Sequence, residues 1–455
     1  MIPPRPQPLA QPRLGLLWFA RVAHSWLDAL TIKSYHMLLG QFRLPGMRVF
    51  VVNDPVWVER MLIAEPHNYP KHRLMHEALA PLLGSSPFTT NGPLWQRQRR
   101  MLDQAFGHAR LGRVFGLMQQ ACEDMQARLQ TGPLDVDGAM THVTADIVYR
   151  TIFSAPLQAH EADTLFAAFT RYQQLAQRAV FLKLLRLPPL WLHRSRQRQA
   201  TIIRGFLAAR VRERFANRST DDEAQGADIL AGLRSAVDPL DGSRLSETEV
   251  LDQICMLFLA GHETSASALS WCLYLLGEHA GLQQTLRDEL AATTQGAALQ
   301  AGDVRKLGQL HALFREVLRL YPPVGYFPRE AVADHVVRGS RVRRGDALLV
   351  FPWLLHRHRR FWSEPDAFEP GRFGPDGTAD QPKGAYLPFG LGARACIGAG
   401  FAMQEAALIL STLLQHHRLL PQPGPVPRVV GRLTVRSADG IRVRLEPLQP
   451  VAPHD

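Results

Sequence analysis

The sequence predicts a mainly α-helical fold with small β-sheets (α+β), built around one long buried helix. Three observations carry this. Helical periodicity dominates the 455 residues, whereas strand signals are few and short. A capping box, Ser246 with Glu249, opens an apolar stretch over 250–276, on the order of 40 Å of helix at ~1.5 Å per residue. The strand-like pieces come from opposite ends of the chain, so one fold has to bring them together.

The long helix is apolar nearly all round and is expected to be buried. Asp252, Gln253, His262 and Glu263 argue against a membrane span. Strands are expected at 48–52, 347–351, 432–436 and 441–445, each bounded by turn residues. Their spread favours a single domain over 1–455, of which 1–35 is a proline-rich N-terminal segment. The apolar run at 14–20 is far shorter than the ~20 residues a span needs, and no clean cleavage site follows it. No transmembrane segment is expected, and the reading is a soluble, cytoplasmic monomer. Polar stretches at 217–228 and 373–386 read as surface loops. Segment 181–196 mixes leucines, Trp191 and basic residues around Pro188 and Pro189. It is either a helix end packed on the core or an apolar lid with weak peripheral contact to membrane or greasy substrate.

Composition narrows the function. With 46% hydrophobic and 20% charged residues the chain can bury a large core, which excludes wholesale disorder. Cys122, Cys255, Cys272 and Cys396 form no C-x-x-C pair, which argues against a zinc ribbon, a redox dithiol or a disulfide-built secreted fold. The net charge of +11 comes from dispersed residues without a recognition motif, so nucleic acid is not expected. An acidic protein partner suits the charge better.

The stretch PFGLGARACIG, 388–398, sets a lone cysteine among three glycines. A porphyrin iron needs an axial ligand, and a thiolate pushes electron density onto it. The sulfur reaches such a metal only if the backbone approaches closely, which glycines permit. Backbone N–H groups then moderate the sulfur, and Arg394 can reach a propionate. In this loop the sequence resembles the cytochrome P450 family. Phe389, Gly390, Gly392, Arg394, Cys396 and Gly398 match the signature F-G-x-G-x-R-x-C-x-G at every specified position.

Further segments extend the resemblance from Trp95 to the C-terminal strands. Glu316 and Arg319 stand where the family has E-x-x-R, on one helix face. FEPGRF at 368–373 adds Arg372, and the resemblance implies a buried ionic cluster that braces the cysteine loop. AGHETS at 260–265 is similar to A-G-x-[D/E]-T. It implies that Ala260 and Gly261 leave room for O2 while Glu263 and Thr264 form an acid–alcohol pair. Reducing dioxygen consumes protons, which such a pair can supply. Trp95 and Arg99 look like W-x-x-x-R, and Arg329 matches a further position; all three are donors suited to haem propionates.

The resemblance implies a haem b cofactor held by Cys396 and monooxygenation of a lipophilic small molecule, by hydroxylation or epoxidation. A ferredoxin or flavodoxin with its reductase would supply electrons, docking on basic residues such as RHRR at 357–360. The pocket would be lined by the stretch before Trp95, 181–196, 257–264 and 324–327. Alternatives are a peroxide-driven peroxygenase, a desaturase or coupling enzyme, and a haem-binding sensor.

Overall fold

The computed structural model describes residues 1–11, 21–216, 228–374, 377 and 381–448. The long helix spans Glu247–Gly277, capped as expected: Glu249 N donates to Ser246 Oγ at 3.3 Å, and Ser246 N donates to Glu249 Oε2 at 2.9 Å. It crosses the interior, packing most closely on Val136–Phe153 and also on Leu190–Ala216. Its polar residues find partners. Asp252 pairs with Arg204 at 2.7 Å and accepts the Ser85 N–H at 2.8 Å, so a charge inside the fold is compensated. Among the described residues no helix is long and apolar enough to cross a membrane.

The principal sheet has four strands in the order Leu39–Leu44, Met47–Val52, Ala347–Val350, Phe327–Glu330. The first two form a hairpin turned by Gly46 at φ 76°. Met47–Val52 then pairs in parallel with Ala347–Val350, which joins the two ends of the chain as expected. A second sheet sets Arg442–Pro447 between Gly132–Asp135 and His417–Pro421, all antiparallel. The expected strand at 432–436 is corrected. The chain turns there, with Arg432 N bonded to Thr434 O at 2.9 Å, between the short strands Val429–Gly431 and Val435–Ser437. Its alternating pattern belongs to a hairpin tip, which periodicity over five residues does not distinguish from a strand.

The first eleven residues are packed on the body. Met1 O accepts the Phe368 N–H at 3.0 Å, Pro4 O accepts from Tyr321 at 2.7 Å, and Arg5 pairs with Asp366 at 3.3 Å. The apolar run at 14–20 and the polar stretch at 217–227 lie outside the described residues. The other stretch expected on the surface ends inside, with Gly384 and Ala385 buried; 375, 376 and 378–380 are outside the description. Segment 181–196 is not a packed helix end. Helices Ala159–Leu184 and Leu190–Ala216 meet at the Pro188–Pro189 break, and Leu187, Leu190 and Trp191 are exposed, Trp191 at 65%. The tetrad 357–360 is not a continuous basic patch either. Arg357 is buried with its guanidinium 3.7 Å from the Trp353 ring, His358 is buried, and Arg359 pairs with Asp366.

Candidate active site

Two glycines shape the cysteine loop. Gly390 and Gly392 have φ of 72° and 71°, a region that L side chains resist, and a Cβ at 392 would lie 2.0 Å from Leu62 O. Leu62 sits in the π-helical turn Arg60–Ala64, against which the loop rests. Gly398 is different: its φ is −89° and a Cβ there would make ordinary contact, 3.9 Å, with Cys396 Sγ. Its contribution is its N–H, which hydrogen-bonds the sulfur. Cys396 N donates to Phe389 O at 2.8 Å, closing the loop onto the core where Phe389 packs.

Of the four cysteines, Cys396 alone is accessible; the other three are buried. Yet protein surrounds it closely. Burial pushes the thiol's pKa up, while the Gly398 N–H and the Arg99 charge pull it back. Such a thiol stays protonated until a metal displaces the proton, and a coordinating thiol is deprotonated outright.

Beside the loop, three cations converge. Arg394 donates to Asn91 Oδ1 at 2.9 Å and lies over the Trp95 ring at 4.1 Å. Arg329 is buried, and Nη1 bonds Pro328 O at 3.1 Å. Lys71 donates to Pro87 O, and its backbone bridges to Arg329. Among the described residues no carboxylate pairs with any of the three. Burial lowers the pKa of both Arg394 and Arg329 to about 10, with Arg394 adding to the effect on Arg329. Lys71 is held well below the ordinary lysine value by burial, then by Arg394 and Arg329. Buried like charges cost free energy unless an anion joins them. Two propionates are such an anion, so the residues present fit a haem. Arg99 is tied to the loop instead: Nη1 donates to Ala395 O at 2.8 Å and Nε to Asp103 at 2.9 Å.

The brace under the loop is assembled from distant parts. Arg319 binds Glu316 with two bonds of 2.7 and 2.8 Å, and both are fully buried. Its remaining donors reach the carbonyls of His356, Pro365 and Ala367. Arg372 Nε lies 3.7 Å from Glu316. His356, which no motif marked, links this cluster to the loop. Its Nε2 accepts the Leu387 N–H at 2.9 Å, and Leu387 O accepts from Gly390 at 3.1 Å.

On the central helix, Thr264 Oγ donates to Ala260 O at 2.7 Å, the back-bond of a mid-helix threonine, which leaves its lone pairs able to accept. Glu263 is buried and accepts from Thr434 at 2.8 Å, and Arg436 Nη1 lies 3.2 Å from Oε1. Burial works to raise its pKa, but Arg436, His262 and the Thr434 hydroxyl outweigh it, and the carboxylate is held below the ordinary range. The expectation that Gly261 leaves room for O2 is corrected. A Cβ there would come within 2.7 Å of Val148 Cγ2, so this glycine lets helix Val136–Phe153 approach.

Lys71, His356, Thr434 and Arg436 were missed by sequence reasoning, since each acts through a partner far away in the chain. Glu405 is another. It is fully buried in helix Ala399–His416, and neither oxygen has a hydrogen-bond partner. Burial, only partly offset by the Ser265 hydroxyl, raises its pKa to about 8, and the neighbouring Cys122 thiol is buried too. Between its unfolded value and about 8 the folded chain keeps a proton that the unfolded chain has released. Stability therefore falls as pH rises through this window, by about 1.4 kcal/mol per unit. Glu405→Gln is expected to be more stable than the parent, by about 2–4 kcal/mol near neutral pH and little in mild acid. Urea unfolding at both pH values checks this, and a pH-independent difference would refute it.

The cation cluster carries its own expectation. Arg329→Leu should weaken haem retention about 10-fold or more, since a charge-assisted bond to a dianion contributes about 1.5–3 kcal/mol. Lys71→Met should act in the same direction. Haem transfer to apomyoglobin measures both; unchanged rates would remove these residues from the site.

An accessible sulfur in an enclosed setting, beside three cations lacking an anion, defines a site for a thiolate-ligated, dianionic cofactor. A family model described as Cytochrome P450 matches residues 4–438. The chain is 30% identical over 404 residues to cyclooctatin synthase of Streptomyces melanosporofaciens, covering 89% of this chain and 87% of that protein. Pentalenene oxygenase of Streptomyces avermitilis is 28% identical, covering 94% and 96%. Among solved structures, the heme domain of cytochrome P450DA aligns with a TM-score of 0.80 at 25% identity, over 91% and 90% of the two chains. Retinoic acid-bound cyanobacterial CYP120A1 aligns at 0.79 and 25% identity, over 90% and 92%. The chain belongs to the cytochrome P450 family, and it is a monooxygenase with a haem cofactor.

Proposed function

We propose that the protein, as one catalytic unit over 1–455, inserts an oxygen atom of O2 into a C–H bond of a lipophilic, terpenoid-like molecule. Haem, when bound, supplies the redox chemistry of oxygen activation. Cys396 holds it through Sγ, with Gly390 and Gly392 bringing the backbone close and Phe389 and Gly398 steadying the loop. Trp95, Arg329, Arg394 and Lys71 receive the propionates; Arg99 braces the loop and turns its remaining donors the same way. Thr264 accepts and passes protons, Glu263 replenishes them, and the small Ala260 provides the carbonyl that orients the Thr264 hydroxyl.

The observation that carries this reading is the Glu263 carboxylate, kept ionised in the interior beside Thr264. An internal charge is costly, and a gas-binding sensor or peroxygenase has no need of it. Electrons come from a ferredoxin or flavodoxin with its reductase in the cytoplasm; the net charge of +11 supports an acidic partner. Relatives named for cyclooctatin and pentalenene, a neighbour that binds retinoic acid, and the exposed apolar residues at Leu187, Leu190 and Trp191 support the substrate class.

Thr264→Ala tests the reading. Product per electron should fall severalfold, with peroxide released, while the resting haem spectrum stays as in the parent. Unchanged coupling would remove Thr264 from the relay. Peroxide-driven turnover equal to that with an electron donor would favour the peroxygenase.

A further inference from the structure

We propose that the cavity walled by the C-terminal hairpin is the inlet through which protons reach the active site, and that Arg436 is the positioning residue that holds Glu263 at its inner end. This rests on the reading of Glu263 and Thr264 as a proton relay. The cavity measures about 330 Å³ and runs between helices Val136–Phe153, Ala159–Leu184 and Glu247–Gly277 and the hairpin. Its rim includes the exposed Gly138 and Thr170, and its floor the buried His262 and Glu263. Thr264 is not among its lining residues. Consecutive helical residues point about 100° apart, so the acid opens to the cavity and the alcohol to a different side of the helix.

The floor holds one proton acceptor suited to the task. His262 donates or accepts at Phe258 O over 2.6 Å among the rings of Phe166, Phe169 and Phe258, where burial disfavours its charged form. Asp137, also lining the cavity, is engaged by the Ile441 N–H at 3.1 Å. Glu263 has Arg436 on one side and Thr434 on the other, and Arg432 adds positive charge to the same wall. Together these groups keep Glu263 a carboxylate that faces water-accessible space. A proton from that water converts it to the neutral acid, weakens its pairing with Arg436 and releases it towards Thr264. The step moves one proton from bulk water through Glu263 to Thr264. Only O–H bonds are made and broken, and the carboxylate then returns to Arg436.

The experiment uses the haem-loaded full chain and the variants Glu263→Gln, Arg436→Gln, Arg436→Lys and Thr170→Trp. The infrared carboxyl signal of Glu263 is assigned by its loss in Glu263→Gln and can be read without turnover. In Arg436→Gln it should show the protonated acid at neutral pH, where the parent shows carboxylate. The proton-limited rate should fall about tenfold, a fraction of what acid–base catalysis contributes, and the solvent isotope effect should rise. Arg436→Lys should restore most of both, which a merely structural ion pair would not require. Thr170→Trp touches neither member of the pair and should slow the same step by narrowing the mouth. If Glu263→Gln stays fully coupled, the relay reading itself falls. If Glu263→Gln uncouples but Arg436→Gln leaves the carboxyl signal and the isotope effect unchanged, the inlet proposal alone falls. Should Arg436→Gln not fold, an isotope effect in Thr170→Trp equal to the parent's overturns it.

Discussion

Cys396→Ser is expected to keep the fold and to lose turnover by on the order of 10³-fold or more, equivalent to about 4 kcal/mol in the barrier. A serine hydroxyl in that enclosed position is a far weaker acid than a thiol, so it offers the metal a neutral oxygen in place of an anionic sulfur. The Gly398 N–H and the Arg99 charge, which partly stabilise a thiolate here, cannot make up that difference. The cation cluster of Lys71, Arg329 and Arg394 is untouched, so haem should still bind. Reduction under carbon monoxide reads the ligand directly. The parent should show the red-shifted Soret maximum of a thiolate-ligated haem and the variant should not. A variant spectrum identical to the parent's would show that Cys396 is not the ligand.

Arg319→Leu should cost about 3–5 kcal/mol, because it leaves the buried Glu316 carboxylate without its partner. Three carbonyls lose their donor at the same time, among them that of His356. The consequence reaches the cysteine loop through His356. Burial, then the Arg319 and Arg357 charges, lower its pKa to about 3, so its ring stays neutral and Nε2 can accept the Leu387 N–H. A loosened His356 loosens Leu387 and with it the turn at Gly390. The variant should therefore lose haem faster as well as unfold in less urea. Glu316→Leu combined with Arg319→Leu should recover part of the stability, since an apolar pair replaces an ion pair at little cost. Haem retention should not recover with it. Equal stability of Arg319→Leu and the parent would contradict the brace.

Much of this was legible wherever the chemistry lies within one or two turns of chain. The helix over Glu247–Gly277 announced itself by its cap and its apolar run, and Glu316 with Arg319 by a spacing that puts both on one face. The cysteine loop was legible because positive φ is nearly the preserve of glycine, so Gly390 and Gly392 mark its turns. Where a local signal had two structural meanings, sequence reasoning erred. Gly261 was taken as space for a ligand and proved to be space for Val148, and the basic tetrad at 357–360 proved largely buried.

By itself, then, the sequence determined the ligand, the turn that presents it and the helix that carries the acid–alcohol pair, because each is encoded by neighbours in the chain. Only the tertiary structure decided which charges meet. Lys71, Arg329 and Arg394 converge without an anion, Glu263 rests on Arg436 of the C-terminal hairpin, and His356 joins the ionic cluster to the loop. Coulomb energies and burial depend on distances through space, and no periodicity along the chain records those.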